Sequence, residues 1–354
     1  MTQCVLRGPP AIRHTLHATH SMSLAQLTPV YLTALEDELH RVIGSGPPHL
    51  REYYTMLEYH LGWPDGTRGK RIRPLLCLLS GAAMADGEWE QALPMAAAIE
   101  LLHNFSLIHD DIQDNSPLRR GRPTVWKKWG QAQAINAGDA MFTLAHLAPH
   151  ALAARGVPSD IALAALEDFD RTCLRLTQGQ YLDMAFEQRG RVTVAEYLEM
   201  IECKTAALIA AATHLGARLA EASDGRMAHF YEYGRNLGLA FQIQDDLLGI
   251  WGDPAVTGKS AASDLEKRKK SLPVVYGLER SGDFTRAYAQ PYLPGDSVAA
   301  LATTLETLGA RDFTQQMALD LTAQAIRHLE TAAPAGEAGA ALRELTDQLL
   351  NRNL

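Results

Sequence analysis

The chain has 354 residues, a formal net charge of −8 and 47% hydrophobic residues, enough for one large domain or two small ones. No apolar run approaches the roughly 18 residues that span a bilayer, and the acidic balance argues against general nucleic-acid binding. Cys4, Cys77, Cys173 and Cys203 form no CxxC pair and show no metal-ligand spacing, so they read as reduced thiols of a soluble, cytoplasmic protein.

Residues 1–21 hold Arg7, Arg13, His14, His17 and His20 but no acidic residue, a faint likeness to a transit peptide. Gly8-Pro9-Pro10 breaks any helix there, so the segment reads as a disordered leader, with Met22 an alternative start. Beyond it strand signals are almost absent and helical periodicity is nearly continuous. Helices are expected at Leu24 to Ile43, ended by Gly44-Ser45-Gly46-Pro47, at Pro74 to Ala85, closed by Asp86-Gly87, and at Trp89 to Asp114 with a kink at Pro94. Ala132 to Ala154, Ser159 to Glu187, Thr193 to Ala222 and Met227 to Trp251 follow. A charged loop, Gly252 to Lys270, precedes shorter helices from Leu272 onward. No linker or short repeat interrupts 22–354, so the expected fold is all-α, a single domain of about a dozen helices.

The chemistry gathers in a few short segments. In Asp110-Asp111-Ile112-Gln113-Asp114, Asp110 and Asp114 lie about 40° apart on a helix. A short Asp run is usually a solvated helix face. A second pair, Asp245-Asp246, changes the reading, because Mg²⁺ characteristically bridges one or two carboxylates to substrate phosphates. His103 lies seven residues before Asp110 and shares its stripe. Gly69-Lys70-Arg71-Ile72-Arg73-Pro74 sets cationic donors at the mouth of a helix, where an anion is favoured. Arg119-Arg120-Gly121-Arg122 adds guanidinium groups, the preferred bidentate partners of phosphate. Lys204-Thr205, Gln242 three residues before Asp245, and a loop with Lys259, Asp264 and Lys269 complete the set. Two Asp clusters with cations from several segments fit a diphosphate held by Mg²⁺ between helices.

GKRIRP, LLHNFSLIHDDIQD, RRGRPTVW, Gly179-Gln180-Tyr181-Leu182-Asp183, Lys204-Thr205, FQIQDD and GKSAASDLEKRKKSLP follow one another in the order and spacing of a known family. On these motifs the chain resembles the trans-isoprenyl diphosphate synthases, the short-chain polyprenyl synthetases, and within them the geranylgeranyl diphosphate synthases. The resemblance implies a helical bundle around a central cavity, a homodimer, and head-to-tail joining of isopentenyl diphosphate to an allylic diphosphate with Mg²⁺, about three ions per site. By similarity, Asp110, Asp114 and Asp245 bind metal, with Asp111 and Asp246 as ligands or support. Lys70, Arg73, His103 and Arg120 hold isopentenyl diphosphate; Arg119, Lys204, Lys259 and Lys269 contact the allylic diphosphate. Thr205 and Gln242 present oxygen dipoles to the allylic cation. No residue reads as a dedicated base; in the family the leaving diphosphate is thought to take the proton.

The second motif departs from the family pattern: Gly249 stands where its last Asp belongs, and Asp253 is a nearby carboxylate that could partly substitute. Product length in the family follows the residues before the first motif, here Leu102, Phe105 and Ser106. One aromatic there, with no two-residue insertion in the motif, resembles the C20 synthases, with farnesyl diphosphate (C15) the alternative. A terpene cyclase normally carries an NSE-type second motif in place of this second Asp pair. Head-to-head squalene or phytoene synthases use differently spaced acidic motifs, and a non-catalytic partner subunit typically loses the first one.

Overall fold

The computed structural model describes residues 23–44, 46–85, 87–253, 262–290 and 295–350. The leader expectation for 1–21 and the Lys259 assignment lie outside them. Helix α1, Leu24–Ile43, has the expected bounds. The Ser23 backbone N–H donates to Gln26 Oε1 at its start (2.9 Å), and Gly44 in a left-handed conformation (φ 64°) ends it. It buries Leu24, Leu27, Tyr31, Leu35, Leu39 and Ile43, spaced three or four residues apart as a core-facing stripe requires. Helices α2 (Arg51–Leu61), α3 (Ile72–Ala82), α4 (Leu93–Gln113), α5 (Val125–Trp129) and α6 (Gln131–Leu147) follow.

Pro94 does not kink α4; it stands in its first turn, where a missing N–H costs nothing, and so begins the helix. Pro149 likewise converts the expected end of α6 into a 3₁₀ stretch, Ala148–Arg155. Then come α7 (Ser159–Gln188), α8 (Val194–Ile201), α9 (Ala207–Leu219) and α10 (Asp224–Trp251). The segment expected as one helix from Thr193 to Ala222 is broken between α8 and α9 by a π-helical turn, Glu202–Ala206. Between Gly252 and Lys270, where a loop was expected, residues Ser263–Glu266 form a short helix.

The described residues are helical almost throughout, with one two-stranded hairpin, Leu118–Arg119 against Arg122–Pro123. In it Arg120 (φ 52°) and Gly121 (φ 73°) make the tight turn, both in the left-handed region that a two-residue hairpin loop demands. The fold is therefore all-α. α10 runs along α9 and the Ala310–Ala332 helix, α3 packs on α9, and α4 on α6. The first half of α4, from Leu93 to Leu102, is buried on every side; from His103 onward it opens onto a cavity. No described helix is long and apolar enough to cross a membrane.

One buried charge cluster fixes where the cavity wall begins. Arg71 precedes α3 with φ 51° and is 3% exposed. Its guanidinium donates to Glu36 Oε1 (3.0 Å), Glu100 Oε1 (2.7 Å) and the Leu61 carbonyl (3.1 Å). Trp63 Nε1 also donates to Glu36, and Asn104 Nδ2 to Glu100, each at 2.7 Å. Arg71 thus ties α1, α2, α3 and α4 together and points away from the cavity that Arg73 borders. Arg71→Ala would strand two buried carboxylates, and urea denaturation should show a loss of about 3–5 kcal/mol.

Candidate active site

The cavity has a volume of about 400 Å³ and is bordered by α4, α7, the π turn and the start of α9. Asp110 is at its mouth. Lys204 Nζ lies 3.3 Å from Asp110 Oδ1 and pairs closely with Asp183; Gln180 Nε2 also approaches Asp110 Oδ1 at 3.3 Å. Burial draws the Lys204 ammonium down, but Asp183 and Asp110 more than offset it and hold it above the usual lysine range. Asp114 ends α4, where desolvation and then Asp110 raise its carboxyl to about 6.

Lys204 and Thr205 reach the cavity because they sit on the π turn, whose wider spiral pushes them out of the helical register. α7 crosses that turn at Gly179. A β-carbon there would lie 2.2 Å from the Lys204 backbone nitrogen, so only glycine permits the approach. Thr193 caps α8 just before it: its Oγ1 accepts from the Glu196 N–H (3.2 Å) while Glu196 Oε2 accepts from the Thr193 N–H (2.8 Å).

Asp111 and Asp246 turn away from the cavity. Asp111 is buried and accepts from Arg119 Nε on both oxygens, at 2.9 and 3.0 Å; burial raises it and Arg119 only partly offsets this. Asp246 is fully buried. Its Oδ1 accepts from Gln242 Nε2 (3.1 Å), and its Oδ2 from the Tyr197 hydroxyl and the Leu272 N–H (3.0 Å) at the start of the Leu272–Arg280 helix. Burial raises it to about 6. Both carboxylates are engaged by the protein itself. Gln242 does not border the cavity; its Oε1 accepts from Thr205 Oγ1 (3.1 Å). Thr205 faces the cavity with Gln242 behind it.

On the other side of Asp110 the cations collect. Arg73 Nη1 lies 3.2 Å from His103 Nε2; with Arg73 the obligatory donor, the imidazole proton falls on Nδ1. Burial, then Arg73, Arg120 and Arg119, keep His103 neutral, its pKa well below the ordinary value. Arg120 reaches over Gly69, where a β-carbon would be 2.7 Å from its Nη2, beside the Lys70 backbone. Arg119 stays on the Asp side, 2.8 Å from Asp111 and 3.4 Å from Asp110. Arg73 Nε and His60 Nε2 are buried without a protein partner, as groups awaiting an anion would be.

His60, Asp183 and Gln180 were not expected individually. Asp183 and Gln180 follow Gly179 at helical spacings and could have been read from their motif; His60, on α2, carries no local signal. Among the residues expected to set chain length, Phe105 and Ser106 border the cavity while Leu102 is fully buried in the core behind it. Lys269 lies among Asp246, Asp264, Asp245 and Asp183; burial pulls it down, but these carboxylates hold it above the usual lysine range.

Asp110, Arg73 and His103 border one largely apolar cavity, an arrangement suited to a metal-bound diphosphate with a hydrocarbon tail. Among the described residues no three acidic, His or Cys side chains close into a cage of their own. The all-α fold with this cleft defines a prenyltransferase of the diphosphate-synthase class. The polyprenyl synthetase pattern matches residues 51–301, and the chain belongs to that family.

It is 39% identical over 326 residues to the (2E,6E)-farnesyl diphosphate synthase of Mycobacterium tuberculosis, covering 86% of this chain and 87% of that one. It is 41% identical over 303 residues to the geranylgeranyl diphosphate synthase of the same organism, covering 81% and 83%. A polyprenyl synthase of Caulobacter crescentus, solved with calcium and isoprenyl diphosphate, superimposes with a TM-score of 0.78 at 29% identity, over 94% of this chain and 97% of that one.

Two outcomes test the geometry. Gly179→Ala should push α7 off the π turn, costing about 1–3 kcal/mol by denaturation and lowering kcat by about tenfold or more. His60 concerns pH. Burial, then Arg119 and Arg120, push it from 6.5 to about 3, so the unfolded chain binds a proton that the fold refuses between those values. Stability is therefore lost as pH falls through that window, and His60→Gln should reduce the loss between pH 7 and 5 by about 1–2 kcal/mol in paired urea titrations.

Proposed function

We propose that this trans-prenyl diphosphate synthase makes geranylgeranyl diphosphate by adding isopentenyl diphosphate to allylic diphosphates in the presence of Mg²⁺. The observation that carries the product length is the wall below Asp110. Ser106, one helical turn deeper, is small and folds its hydroxyl back onto the His103 carbonyl (2.7 Å), leaving room for a growing chain. Phe105 stands beside it, braced by Phe142 with ring centres 4.9 Å apart; His146 backs Phe142 at 4.4 Å. A C20 chain passes Ser106 and stops against this stack.

Asp110, Asp114 and Asp245 present hard oxygen donors that would hold Mg²⁺, which would supply charge neutralisation to the departing diphosphate. Lys204 and Lys269 take a share of that charge, joined by Arg119 and, by resemblance, Lys259. Lys70, Arg73, Arg120 and neutral His103 fix the second diphosphate so that the isopentenyl double bond faces the allylic carbon. Thr205 turns an oxygen dipole toward the developing cation, oriented by Gln242, and the apolar walls Leu107, Leu176, Met184 and Leu208 keep water out.

A homodimer is part of the reading. Ile135 and Leu147 on α6 and Leu163 and Leu174 on α7 are large apolar side chains exposed outside the cavity, suited to burial against a second copy. A cytoplasmic location accords with the free thiols Cys77, Cys173 and Cys203.

The deciding experiment incubates the purified chain with Mg²⁺, isopentenyl diphosphate and each of the C5, C10 and C15 primers, and weighs the products by mass spectrometry. A dominant C20 diphosphate is expected; a dominant C15 product would return the assignment to farnesyl diphosphate synthase. Phe105→Ala should shift the distribution to longer chains by opening the space up to Phe142, and an unchanged distribution would remove Phe105 from the floor.

A further inference from the structure

We propose that Glu202 is a positioning residue for prenyl transfer: clamped between Arg175 of α7 and Arg235 of α10, it holds the π turn in the register that brings Lys204 and Thr205 to the cavity. The inference rests on the roles given to Lys204 and Thr205 above and concerns what keeps the two side chains in place.

Glu202 opens the π turn. Its Oε1 accepts from Arg175 Nη2 (2.6 Å) and its Oε2 from Arg235 Nη2 (2.5 Å). Burial raises its carboxyl, but Arg235 and Arg175 more than offset this and hold it below the usual carboxylate range. One negative charge therefore stands between two guanidinium groups from different helices. Arg175 also donates from Nη1 to the Tyr231 hydroxyl on α10 (2.6 Å), which joins α7 to α10 across the turn. None of Glu202, Arg175 and Arg235 borders the cavity, so any effect of theirs on substrate passes through the residues that do.

The clamp is the outer end of a grip that runs inward along both helices. On α7, Arg175, Gly179 and Asp183 follow one another at four-residue spacing, so they share a face. Arg175 holds Glu202, Gly179 lies against the Lys204 backbone, and Asp183 pairs with Lys204 Nζ. On α10, Arg235, Gly238 and Gln242 repeat the order at spacings of three and four. Arg235 holds Glu202, and a β-carbon on Gly238 would fall 2.6 Å from Ala206 Cα. Gln242 then accepts from Thr205 Oγ1. The backbone of the turn is thus pressed between two glycines, and each reactive side chain is tied to the helix on its own side. Glu202 is the group that answers both helices at once. Without its charge two guanidinium groups would face each other across the turn. A turn relaxed into α-helical register would displace its side chains by one position, about 100° round, and so away from Asp183 and Gln242.

The alternative is that Glu202 only adds to general stability. Steady-state kinetics and hydrogen exchange on the full chain separate the two. Glu202→Gln keeps the shape and removes the charge. It should lower kcat by about tenfold or more while the KM for isopentenyl diphosphate stays within about twofold of the parent. Amide exchange over Glu202–Ala206 should quicken by about tenfold or more, with that over the buried first half of α4 within about twofold. In a Lys204→Ala background the same substitution should cost less than about threefold further in kcat, because the group it positions is already gone. If Glu202→Gln does not fold, Arg235→Gln decides the matter: it releases one side of the clamp and should show the same pattern with a kcat loss of about threefold or more. A folded variant with parental kcat, exchange that quickens throughout the chain, or a loss that multiplies in full on Lys204→Ala overturns the assignment. Should Lys204→Ala itself turn over like the parent, the role given to Lys204 falls and this assignment falls with it; an impaired Lys204→Ala beside an unimpaired Glu202→Gln removes the assignment alone.

Discussion

The rest of the structure depends on concentrating like charges at one end of an apolar bundle. Asp110, Asp114 and Asp183 surround Lys204, and Asp183, Asp245, Asp246 and Asp264 surround Lys269, and carboxylates so placed cannot all ionise without counter-charge. The protein divides them. Asp111 is neutralised by Arg119, and Asp246 is dissolved in hydrogen bonds from Tyr197, Gln242 and the Leu272 N–H. Asp110 and Asp183 share Lys204. Asp110, at the cavity, thereby keeps Lys204, Gln180 and Arg119 as its partners.

The cationic side follows the same division. Arg71 and Arg73 are two residues apart but point to opposite sides, because the left-handed Arg71 backbone sends one guanidinium into the Glu36–Glu100 pair and leaves the other beside His103. Arg119 and Arg120 diverge for a similar reason, the hairpin turn beginning at Arg120. In each pair the two guanidinium groups leave the turn in different directions. A mixed cleft of this kind recruits an anion on one wall and metal on the other without the two walls collapsing on each other.

Much of this was legible in the sequence, and the failures have physical causes. Helix α1 was read to the residue because its stripe is unbroken and Gly44 ends it. The stripe that joins His103, Asp110 and Asp114 needed only helical geometry. By the same geometry Asp111 and Asp246 lie about 100° round from Asp110 and Asp245, toward the protein partners they find. The kink at Pro94 was a misreading of a residue that starts a helix, and Pro149 carried a comparable signal at the end of α6. The π turn had no such signal: five residues of altered spiral leave the hydrophobic pattern nearly intact, and what demands it, Gly179, lies on another helix. Phe105, about 140° from Asp110 on an ideal wheel, borders the same cavity because the cavity runs along α4 as well as across it.

Gly249 is the clearest case of what a linear motif conceals. A motif records which side chains leave one helix, whereas the chemistry depends on which atoms occupy a volume beside it. At the first motif the two descriptions coincide, because α4 carries both Asp110 and Asp114. At the second they part: α10 provides Asp245, and the volume one turn on belongs to a residue fifteen positions later. What stands beside position 249 is therefore set by a neighbouring segment and not by the motif itself.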